Sequence, residues 1–349
     1  MIFHAIGLMS GTSLDGLDIC FAQFEKQDSG GWKFQILQAE TAAYSENLED
    51  QLRNSIHLSA EDLLALHSEY GFYLGKEVNR FIQKYNLPQV DVVASHGHTV
   101  FHQPQKKFTL QIGDGRAIRI ETGLPVVYDF RSQDVLMGGN GAPLVPIGDE
   151  LLFAEYDACL NLGGFSNISL SISQKRIAFD IAPVNIILNK LAQHYNKNFD
   201  RNGELAKQGN INHALLKKLN ALKFYSQPHP KSLGIEWCNE NIFPLFRDLD
   251  PKDILATFTE HAAEQIARVF NEYQLNHVLF TGGGTYNQYL IEQIKEKTAS
   301  QIIIPKKEII DFKEALIFAF MGVLRVNGET NVLSSATGSS ADHSSGIIA

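Results

Sequence analysis

Short apolar runs flank two turns that are rich in glycine and hydroxyl residues, and the two arrangements are alike. Each run has the length of a β-strand, so each arrangement predicts a hairpin with a hydroxyl-rich tip. The hairpins comprise strand 4–9, turn 10–16 and strand 17–24, and then strand 158–162, turn 163–167 and strand 168–172.

Apolar residues at helical spacing alternate with further strands along the rest of the chain. Ser59 with Asp62 fits a capping box, and the helix that it begins is predicted to reach about residue 85. Further strands are predicted at 90–94, 109–112, 126–129, 177–180 and 277–281, and further helices at 185–195, 253–273, 286–297 and 313–326. Helices placed between strands predict an α/β fold.

The chain is long enough for two domains. It has 349 residues, 44% of them hydrophobic, and single cores stop growing at about 250–300 residues. Around residues 131–146 the pattern changes to Gly, Asn and Pro with little periodicity, which is typical of a crossing between domains. We therefore expect an N-terminal lobe of residues 1–131 and a C-terminal lobe of residues 132–349, with the extreme C-terminus free to return to the N-terminal lobe.

Charge and composition exclude several classes of protein. The formal net charge is −9 and no Lys and Arg cluster is present, which argues against a nucleic-acid partner. No uncharged apolar run is long enough to cross a bilayer and the first residues do not resemble a secretory signal, so we expect a cytoplasmic protein without a membrane partner. Cys20, Cys159 and Cys238 lie far apart, which predicts buried thiols rather than disulfides or a zinc site.

Glycine-rich turns follow three of the predicted strands, at residues 11–18, 161–167 and 281–285. Glycine lets backbone N–H groups approach phosphate oxygens, and ligands collect at the carboxyl ends of strands in open α/β sheets. Any one of these can be an ordinary turn, but three together favour a nucleotide site. None leads into Gly-Lys-Ser/Thr and no GxGxxG follows a strand, which weakens the P-loop and Rossmann interpretations. Asp15 or Asp18 can hold Mg²⁺ directly or through water.

An acidic residue, Asp180, ends a predicted apolar strand shortly before a predicted helix. An ordinary Asp has a pKa of about 3.9, so it is ionised at neutral pH and can accept a proton from a water or a hydroxyl. Asp is also a common helix cap. The cap is the simpler interpretation of Asp180 alone, and the glycine-rich turns favour a catalytic base.

Three histidines, His96, His98 and His102, would share one face of a strand, which raises a metallohydrolase as the rival interpretation. No HExxH motif or acidic partner at a telling spacing accompanies them, and Gly97 interrupts the strand. We therefore favour contacts with a polar substrate or a structural hydrogen bond.

Two further charged residues each allow two interpretations. Arg131 can bind a carboxylate with its planar guanidinium group, or it can form a surface ion pair with Asp134. Glu314 stands at the start of a predicted apolar helix, where it is either an acid of the cleft or a first-turn partner of the helix dipole. The dipole interpretation of Glu314 is the simpler one.

Motifs spread in order along the whole chain resemble the anhydro-N-acetylmuramic acid kinase family. They are the segments 7–16 (GLMSGTSLDG), 129–131 (DFR), 141–146 (GAPLVP), 161–164 (NLGG), 281–284 (TGGG), 314–315 (EA) and 336–338 (ATG). The first of them is highly specific to that family.

The resemblance implies the two-lobed fold of actin, Hsp70 and sugar kinases, with ATP and Mg²⁺ in a cleft between the lobes. Members of the family open the 1,6-anhydro bridge of anhydro-N-acetylmuramic acid with water and transfer the γ-phosphoryl group to O6. The product, N-acetylmuramic acid 6-phosphate, enters cell-wall recycling. A homodimer is also implied.

The resemblance assigns roles to individual residues. Asp180 matches the catalytic base that would deprotonate the attacking water. The residues expected to bind the nucleotide are Gly11, Thr12, Ser13, Leu14, Asp15, Gly16, Leu17, Asp18, Gly163, Gly164, Gly282, Gly283 and Gly284. The residues expected to bind the sugar are His96, Arg131, Asn185 and Glu314.

The chain departs from the family pattern beside the expected base. Ile181, Ala182 and Val184 replace the Thr and the two Gly of the family's Asp-Thr-Gly-Pro-Gly-Asn, and His98 replaces a Gln. Two other functions are therefore considered. One is a sugar kinase of the same superfamily that does not open an anhydro ring, and the other is a nucleotide-binding regulator without turnover.

Overall fold

A computed structural model of the 349-residue chain describes residues 1–11, 14–28 and 30–349. The chain forms two compact units, one made of Met1–Phe153 with Phe312–Ala349 and the other of Ala154–Asp311. Each unit combines one main sheet with helices, which confirms the predicted α/β class. The boundary expected after residue 131 falls inside the first unit, and the C-terminal segment belongs to that unit.

The strands and α-helices are numbered in chain order. The strands are β1 (Ile2–Ser10), β2 (Leu17–Lys26), β3 (Trp32–Ala42), β4 (Val92–Ser95), β5 (His98–Gln103), β6 (Phe108–Ile112), β7 (Val126–Tyr128), β8 (Ala158–Leu162), β9 (Phe165–Ile172), β10 (Lys175–Pro183), β11 (His277–Thr281), β12 (Gln301–Ile303) and β13 (Ile347–Ile348). The helices are α1 (Glu46–Asn54), α2 (Ala60–Tyr85), α3 (Gly115–Thr122), α4 (Ser132–Leu136), α5 (Pro146–Leu152), α6 (Asn185–Ala192), α7 (His213–Asn220), α8 (Ile235–Asn241), α9 (Pro251–Glu272), α10 (Gln288–Lys295), α11 (Lys307–Val326) and α12 (Ser334–Thr337).

The main sheets of the two units share a plan. In the first unit the strand order is β13-β7-β4-β1-β2-β3, and in the second it is β10-β9-β8-β11-β12. In chain order, the first three strands of each sheet, β1–β3 or β8–β10, are consecutive and antiparallel. The first of the three, β1 or β8, pairs in parallel with a later strand, β4 or β11. The two hairpins with glycine-rich turns are therefore equivalent parts of two similar sheets. Strands β5 and β6 form a separate pair.

Local signals in the sequence predicted the longest elements well. The side chain of Ser59 accepts a hydrogen bond from the Asp62 N–H, which is the N-cap bond of a capping box, and its hydroxyl donates to the Asp62 carboxylate. The helix that it begins, α2, ends at Tyr85, where Asn86 adopts a left-handed conformation. The edge strand β3 was not predicted, because its polar residues, among them Lys33 and Glu40, break the apolar run.

Helix α11 lies directly against the first sheet. A Cβ atom on Gly7 of β1 would lie 2.7 Å from the backbone nitrogen of Ala319 and would overlap the carbonyl oxygen of Ala315. A Cβ atom on Gly322 would lie 2.7 Å from the Cβ of Ala94 in β4. Glycine at these positions lets the helix backbone approach the strands closely, which fixes the position of Glu314 on α11.

Two expectations from composition can be compared with the structure. The three cysteines are buried and form no disulfide with one another, which confirms buried thiols rather than a disulfide framework. Within the described ranges, we find no helix whose length and apolar character would let it cross a membrane.

Candidate active site

The first glycine-rich turn joins β1 to β2. The Leu14 N–H donates a hydrogen bond to the Gly11 carbonyl over 3.3 Å, and Leu14 has a φ of 60°. Gly16 has a φ of 142°, and a Cβ atom there would lie 2.7 Å from the Ala42 carbonyl oxygen, so this position requires glycine. Two residues expected to bind nucleotide, Thr12 and Ser13, lie outside the described residues.

The other residues of this turn divide by exposure. The side chains of Leu14 and Leu17 are buried in the core of the first unit, so only their backbone can contact a ligand. Asp15 is exposed. Asp18 is partly buried and accepts a hydrogen bond from the Thr41 hydroxyl over 2.5 Å.

His96 and Arg131 form a hydrogen-bonded pair in the first unit. The Arg131 Nε–H donates to His96 Nε2 over 2.9 Å, so the proton of the neutral imidazole is on Nδ1, which donates to the Gly97 carbonyl over 2.8 Å. Burial, together with the Arg131 charge, holds the pKa of His96 well below its ordinary value. Both ring nitrogens are therefore engaged, and neither is available to a metal ion in this arrangement.

The surface ion pair considered for Arg131 and Asp134 does not form. Asp134 is fully buried, and its carboxylate accepts hydrogen bonds from the Gly141 N–H and the Thr337 hydroxyl, each over 2.7 Å. Arg131 instead bonds His96 and the Gly141 carbonyl. Burial lowers the pKa of Arg131 to about 10 although nearby carboxylates raise it, so the guanidinium remains charged at neutral pH.

Glu314 lies on α11, eighth from the helix start at Lys307, so the interpretation as a first-turn dipole partner is wrong. Burial raises the pKa of Glu314, while the charges of Arg131 and Lys313 lower it. Lys313 forms a buried ion pair with Asp149 over 2.6 Å. Because Lys313 pairs with Asp149, Arg131 is the positive charge that we associate with Glu314.

The two glycine turns of the second unit meet around Leu162. The carbonyls of Gly163 and Gly164 accept hydrogen bonds from N–H groups at the start of α6, including that of Asn185 over 3.4 Å. The Asn185 side chain donates to the Leu162 carbonyl over 3.1 Å. A Cβ atom on Gly284 would lie 2.8 Å from that same carbonyl oxygen. The structure thus brings Gly163, Gly164, Gly284 and Asn185 together.

Gly282 requires glycine for two reasons. Its φ is 82°, and an added Cβ atom would overlap the side chain of Asn161 and lie 3.0 Å from the backbone of Leu162. At Gly283, in contrast, no heavy atom of the described residues beyond its chain neighbours lies within 4 Å of an added Cβ atom. The turn therefore presents an open stretch of backbone at Gly283 between two packed glycines.

Asp180 lies within β10, which continues to Pro183. It does not cap α6, because Val184 stands at the N-cap position. The Leu233 N–H donates a hydrogen bond to Asp180 Oδ2 over 2.7 Å. Burial raises the pKa of Asp180 to about 6, although the Leu233 hydrogen bond lowers it. A half-buried carboxylate with this pKa is ionised at neutral pH and is a stronger base than an exposed one.

The three residues beside Asp180 that depart from the family pattern lie in the hydrophobic core. The side chains of Ile181, Ala182 and Val184 are all buried in the hydrophobic core of the second unit. Sequence reasoning missed Leu233, whose contribution is a backbone N–H and so leaves no signal in the residue type. It also missed Tyr44, whose hydroxyl donates to Ser10 in a chain of hydrogen bonds that reaches His98.

Comparison with known proteins gives consistent matches over nearly the whole chain. The family model described as anhydro-N-acetylmuramic acid kinase matches residues 3–349. Proteins named anhydro-N-acetylmuramic acid kinase from Francisella tularensis subsp. novicida and Clostridioides difficile are 33% and 34% identical, each over 96% of this chain and 95% of the relative. The protein of that name from Haemophilus influenzae is 33% identical over 99% of this chain and 97% of its own length.

Solved structures match at lower similarity. An activator of 2-hydroxyisocaproyl-CoA dehydratase from Clostridium difficile with bound ADPNP has a TM-score of 0.44 and 11% identity, covering 92% of this chain and 94% of its own. A ROK family glucokinase from Streptomyces griseus in complex with glucose and AMPPNP has a TM-score of 0.42 and 13% identity, covering 92% and 99%.

Proposed function

This chain belongs to the anhydro-N-acetylmuramic acid kinase family, and we propose that it phosphorylates anhydro-N-acetylmuramic acid with ATP as the phosphoryl donor. The match over residues 3–349 supports the kinase class, a phosphotransferase with an alcohol group as acceptor. The structural observation that carries the mechanism is Asp180, a half-buried carboxylate with a pKa of about 6 whose position as a helix cap is taken by Val184.

In the proposed reaction Asp180 is the general base. It removes a proton from a water molecule whose oxygen forms a bond with C1 of the sugar, while the bond between C1 and O6 breaks. The freed O6 attacks the γ-phosphorus of ATP, and ADP leaves. The products are N-acetylmuramic acid 6-phosphate, ADP and the proton taken up by Asp180. Placement of the reactants and neutralisation of charge account for most of the catalysis in reactions of this kind.

The remaining residues are assigned by the chemistry that each can offer. We assign the sugar to His96, Arg131, Asn185 and Glu314, with Arg131 as the group suited to a carboxylate. The residues assigned to the nucleotide are Gly11, Thr12, Ser13, Leu14, Asp15, Gly16, Leu17 and Asp18 in the first unit and Gly163, Gly164, Gly282, Gly283 and Gly284 in the second.

Carboxylates in the first turn suit a hard cation. Asp15 is exposed and Asp18 has carboxylate oxygens at the start of β2, and Mg²⁺ prefers oxygen ligands with several retained waters. Asp15 and Asp18 would hold Mg²⁺ directly or through water, where the ion would neutralise phosphate charge. We also assign the enzyme to the cytoplasm as a homodimer without nucleic-acid or membrane partners, which the family resemblance and the net charge of −9 support.

Turnover in ¹⁸O-labelled water tests the ring-opening step. The product should gain one phosphoryl group and one water, and mass spectrometry should find a single ¹⁸O at C1 and none in the phosphate. Unlabelled N-acetylmuramic acid 6-phosphate kept in the same water for the same time measures slow exchange at C1.

Two other results would reject this function. A phosphorylated product with an intact anhydro ring and no label would indicate a sugar kinase that uses an existing hydroxyl. Binding of ATP without any release of ADP in the presence of the sugar would indicate a regulator without turnover.

Replacing Gly282 by alanine should raise the KM for ATP about tenfold. An alanine at positive φ and against Asn161 raises the free energy of the turn by roughly 1–3 kcal/mol. Steady-state kinetics at saturating sugar and direct nucleotide titration would measure the change. Gly328→Ala is the matched control, since Gly328 lies in the first unit with a φ of 68°. In the part of the chain that the structure describes, only its chain neighbours come within 4 Å of an added Cβ. Equal ATP affinities for the two variants would contradict the assignment.

A further inference from the structure

The backbone beside Asp180 is irregular. The pairing of β10 with β9 shifts register between Asp180 and Ala182, so Ile181 is an extra residue on its strand. Bulges of this kind redirect neighbouring side chains and are common beside active sites. The direction of the Asp180 side chain therefore depends on what holds the bulge in place.

The hydroxyl of Ser166 on β9 holds the residue on the far side of the bulge. It accepts a hydrogen bond from the Ala182 N–H over 3.1 Å and donates one to the Ala182 carbonyl over 2.9 Å. Ser166 is fully buried, so water cannot replace these bonds. The Ser166 side chain thus bonds both the N–H and the carbonyl of Ala182, where the regular pairing of β10 with β9 resumes.

A second element holds Asp180 itself. The Asp180 N–H donates to the Lys231 carbonyl over 3.0 Å, and the Leu233 N–H donates to Asp180 Oδ2 over 2.7 Å. These two bonds attach both the backbone and the carboxylate of Asp180 to the segment 231–233. Among the described residues, no other donor bonds the carboxylate, so Oδ1 is the oxygen left for a reacting proton.

The segment 231–233 is anchored in turn. The Lys231 ammonium donates to the Phe224 carbonyl over 3.3 Å and lies 4.8 Å from the centre of the Phe224 ring. It also lies 6.0 Å from the ring of Phe179, the residue before Asp180, and the His229 ring stacks on Phe179. The segment is thus bound to the same strand that carries Asp180.

We propose that Leu233, through its backbone N–H, and Ser166, through its hydroxyl, are positioning residues that direct Oδ1 of Asp180 towards the proton it removes. This inference rests on the proposed function only in taking Asp180 as the base. Neither residue touches the reacting atoms, and each acts through Asp180.

The charged groups near the segment 231–233 do not form the hydrogen bond that Leu233 makes with Asp180. They are Lys231 on the segment itself and Arg268 and Glu272 of α9, whose charges act on the pKa of Lys231. The imidazole of His229, two residues before the segment, is engaged in its stack on Phe179. The pKa of Asp180 responds to burial first and to the Leu233 N–H second, and these two causes account for its shift.

Leu233→Pro removes the N–H, whereas Leu233→Ala shortens the side chain and retains it. In the wild type, kcat/KM should fall tenfold per pH unit as the pH drops below about 6, where Asp180 becomes protonated. Without the N–H the ionised carboxylate loses a hydrogen bond, so this limb should move up by roughly one pH unit in Leu233→Pro and stay in place in Leu233→Ala. A limb at the same pH in both variants would overturn the role of Leu233.

Ser166→Ala tests the bulge without introducing proline. We expect kcat to fall about 10- to 100-fold, with the sugar KM within about threefold of the wild type, because a small misplacement of the base affects the chemical step. Ser169→Ala is the matched control, since Ser169 is also a buried serine of β9 but its hydroxyl accepts from Arg176. Equal kcat values for the two variants, at equal thermal stability, would overturn the role of Ser166.

A direct titration separates this proposal from the proposed function. Aspartate labelled with ¹³C in its side-chain carboxyl gives an Asp180 signal, identified by its loss in Asp180→Asn, whose pKa can be followed by NMR without turnover. A raised pKa in Leu233→Pro alone, with Asp180→Asn inactive, supports the positioning role, whereas an active Asp180→Asn would reject the base and, with it, the positioning role. An unchanged pKa and kcat in Leu233→Pro, with Asp180→Asn inactive, would reject the positioning role and retain the base.

Discussion

Replacing Asp180 by asparagine should lower kcat at least about 10³-fold, because the amide cannot accept the proton that the carboxylate removes. The variant keeps the shape of the side chain, and its amide oxygen can still accept the Leu233 N–H. Release of ADP with ATP, Mg²⁺ and anhydro-N-acetylmuramic acid measures the loss, and nucleotide titration should show unchanged ATP affinity.

The same substitution should not destabilise the fold at neutral pH. The pKa of Asp180 is raised from 3.8 to about 6 in the folded chain, so the folded state binds more protons than the unfolded state between these values. Stability contributed by this group is therefore present at low pH and is lost as the pH rises through about 6. At pH 7 the neutral amide removes an ionised group that burial disfavours, and the unfolding midpoint of Asp180→Asn should equal or exceed that of the wild type.

Asp200→Asn is the matched control for Asp180→Asn. Asp200 is a buried carboxylate of the same unit, and it accepts hydrogen bonds from the N–H groups of Leu205 and Ala206 over 2.8 and 2.9 Å. Its substitution should lower stability and leave kcat per folded molecule near the wild-type value. A kcat for Asp180→Asn within tenfold of the wild type would rule out Asp180 as the base.

Gly7→Ala should destabilise the first unit by about 3 kcal/mol, at the upper end of the cost of overpacking a core. The new methyl group would overlap the Ala315 carbonyl oxygen and lie 2.7 Å from the Ala319 nitrogen. Backbone atoms of a helix cannot move aside as a flexible side chain can, so α11 as a whole must shift. Because Glu314 precedes Ala315, the KM for the sugar should rise as well.

The chain has two tryptophans, which allow the first unit to be observed separately. Trp32 on β3 packs edge-on against Phe320 of α11, with ring centres 5.1 Å apart, and Trp237 lies on α8 of the second unit. In a Trp237→Phe background, urea unfolding followed by Trp32 fluorescence reports the contact between α11 and the sheet. Gly31→Ala is the control, because among the described residues only its chain neighbours come within 4 Å of an added Cβ there. Equal midpoints for Gly7→Ala and Gly31→Ala would contradict the close packing of α11.

Sequence reasoning performed best where the signal is local. The two hairpins around residues 10–16 and 163–167 and the helix that begins after Ser59 were predicted close to their observed bounds. Strand period, helix spacing and turn glycines depend on residues that are neighbours in the chain, so the pattern itself contains the information. The family was also recognisable, since its motifs are short segments of contiguous residues.

The sequence was least informative where a role depends on partners that are distant in the chain. Asp134 was considered as the ion-pair partner of Arg131, but it is buried and bonds Thr337, 203 residues away. Glu314 was interpreted as a first-turn residue, although α11 begins at Lys307. The first of these interpretations paired Arg131 with a residue three positions away, and the second followed from a predicted helix start at residue 313.

By itself the sequence determined the α/β class, the glycine-rich turns and the family, and it identified Asp180 as a residue with two possible roles. The tertiary structure excludes the helix cap, because it places Val184 at that position and the Leu233 N–H, 53 residues along the chain, on the Asp180 carboxylate. The role of catalytic base stays a proposal. It also decided that Arg131 bonds His96. Such contacts depend on the path of the whole chain, and a backbone N–H is the same in every residue except proline, so neither is written in the pattern of side chains.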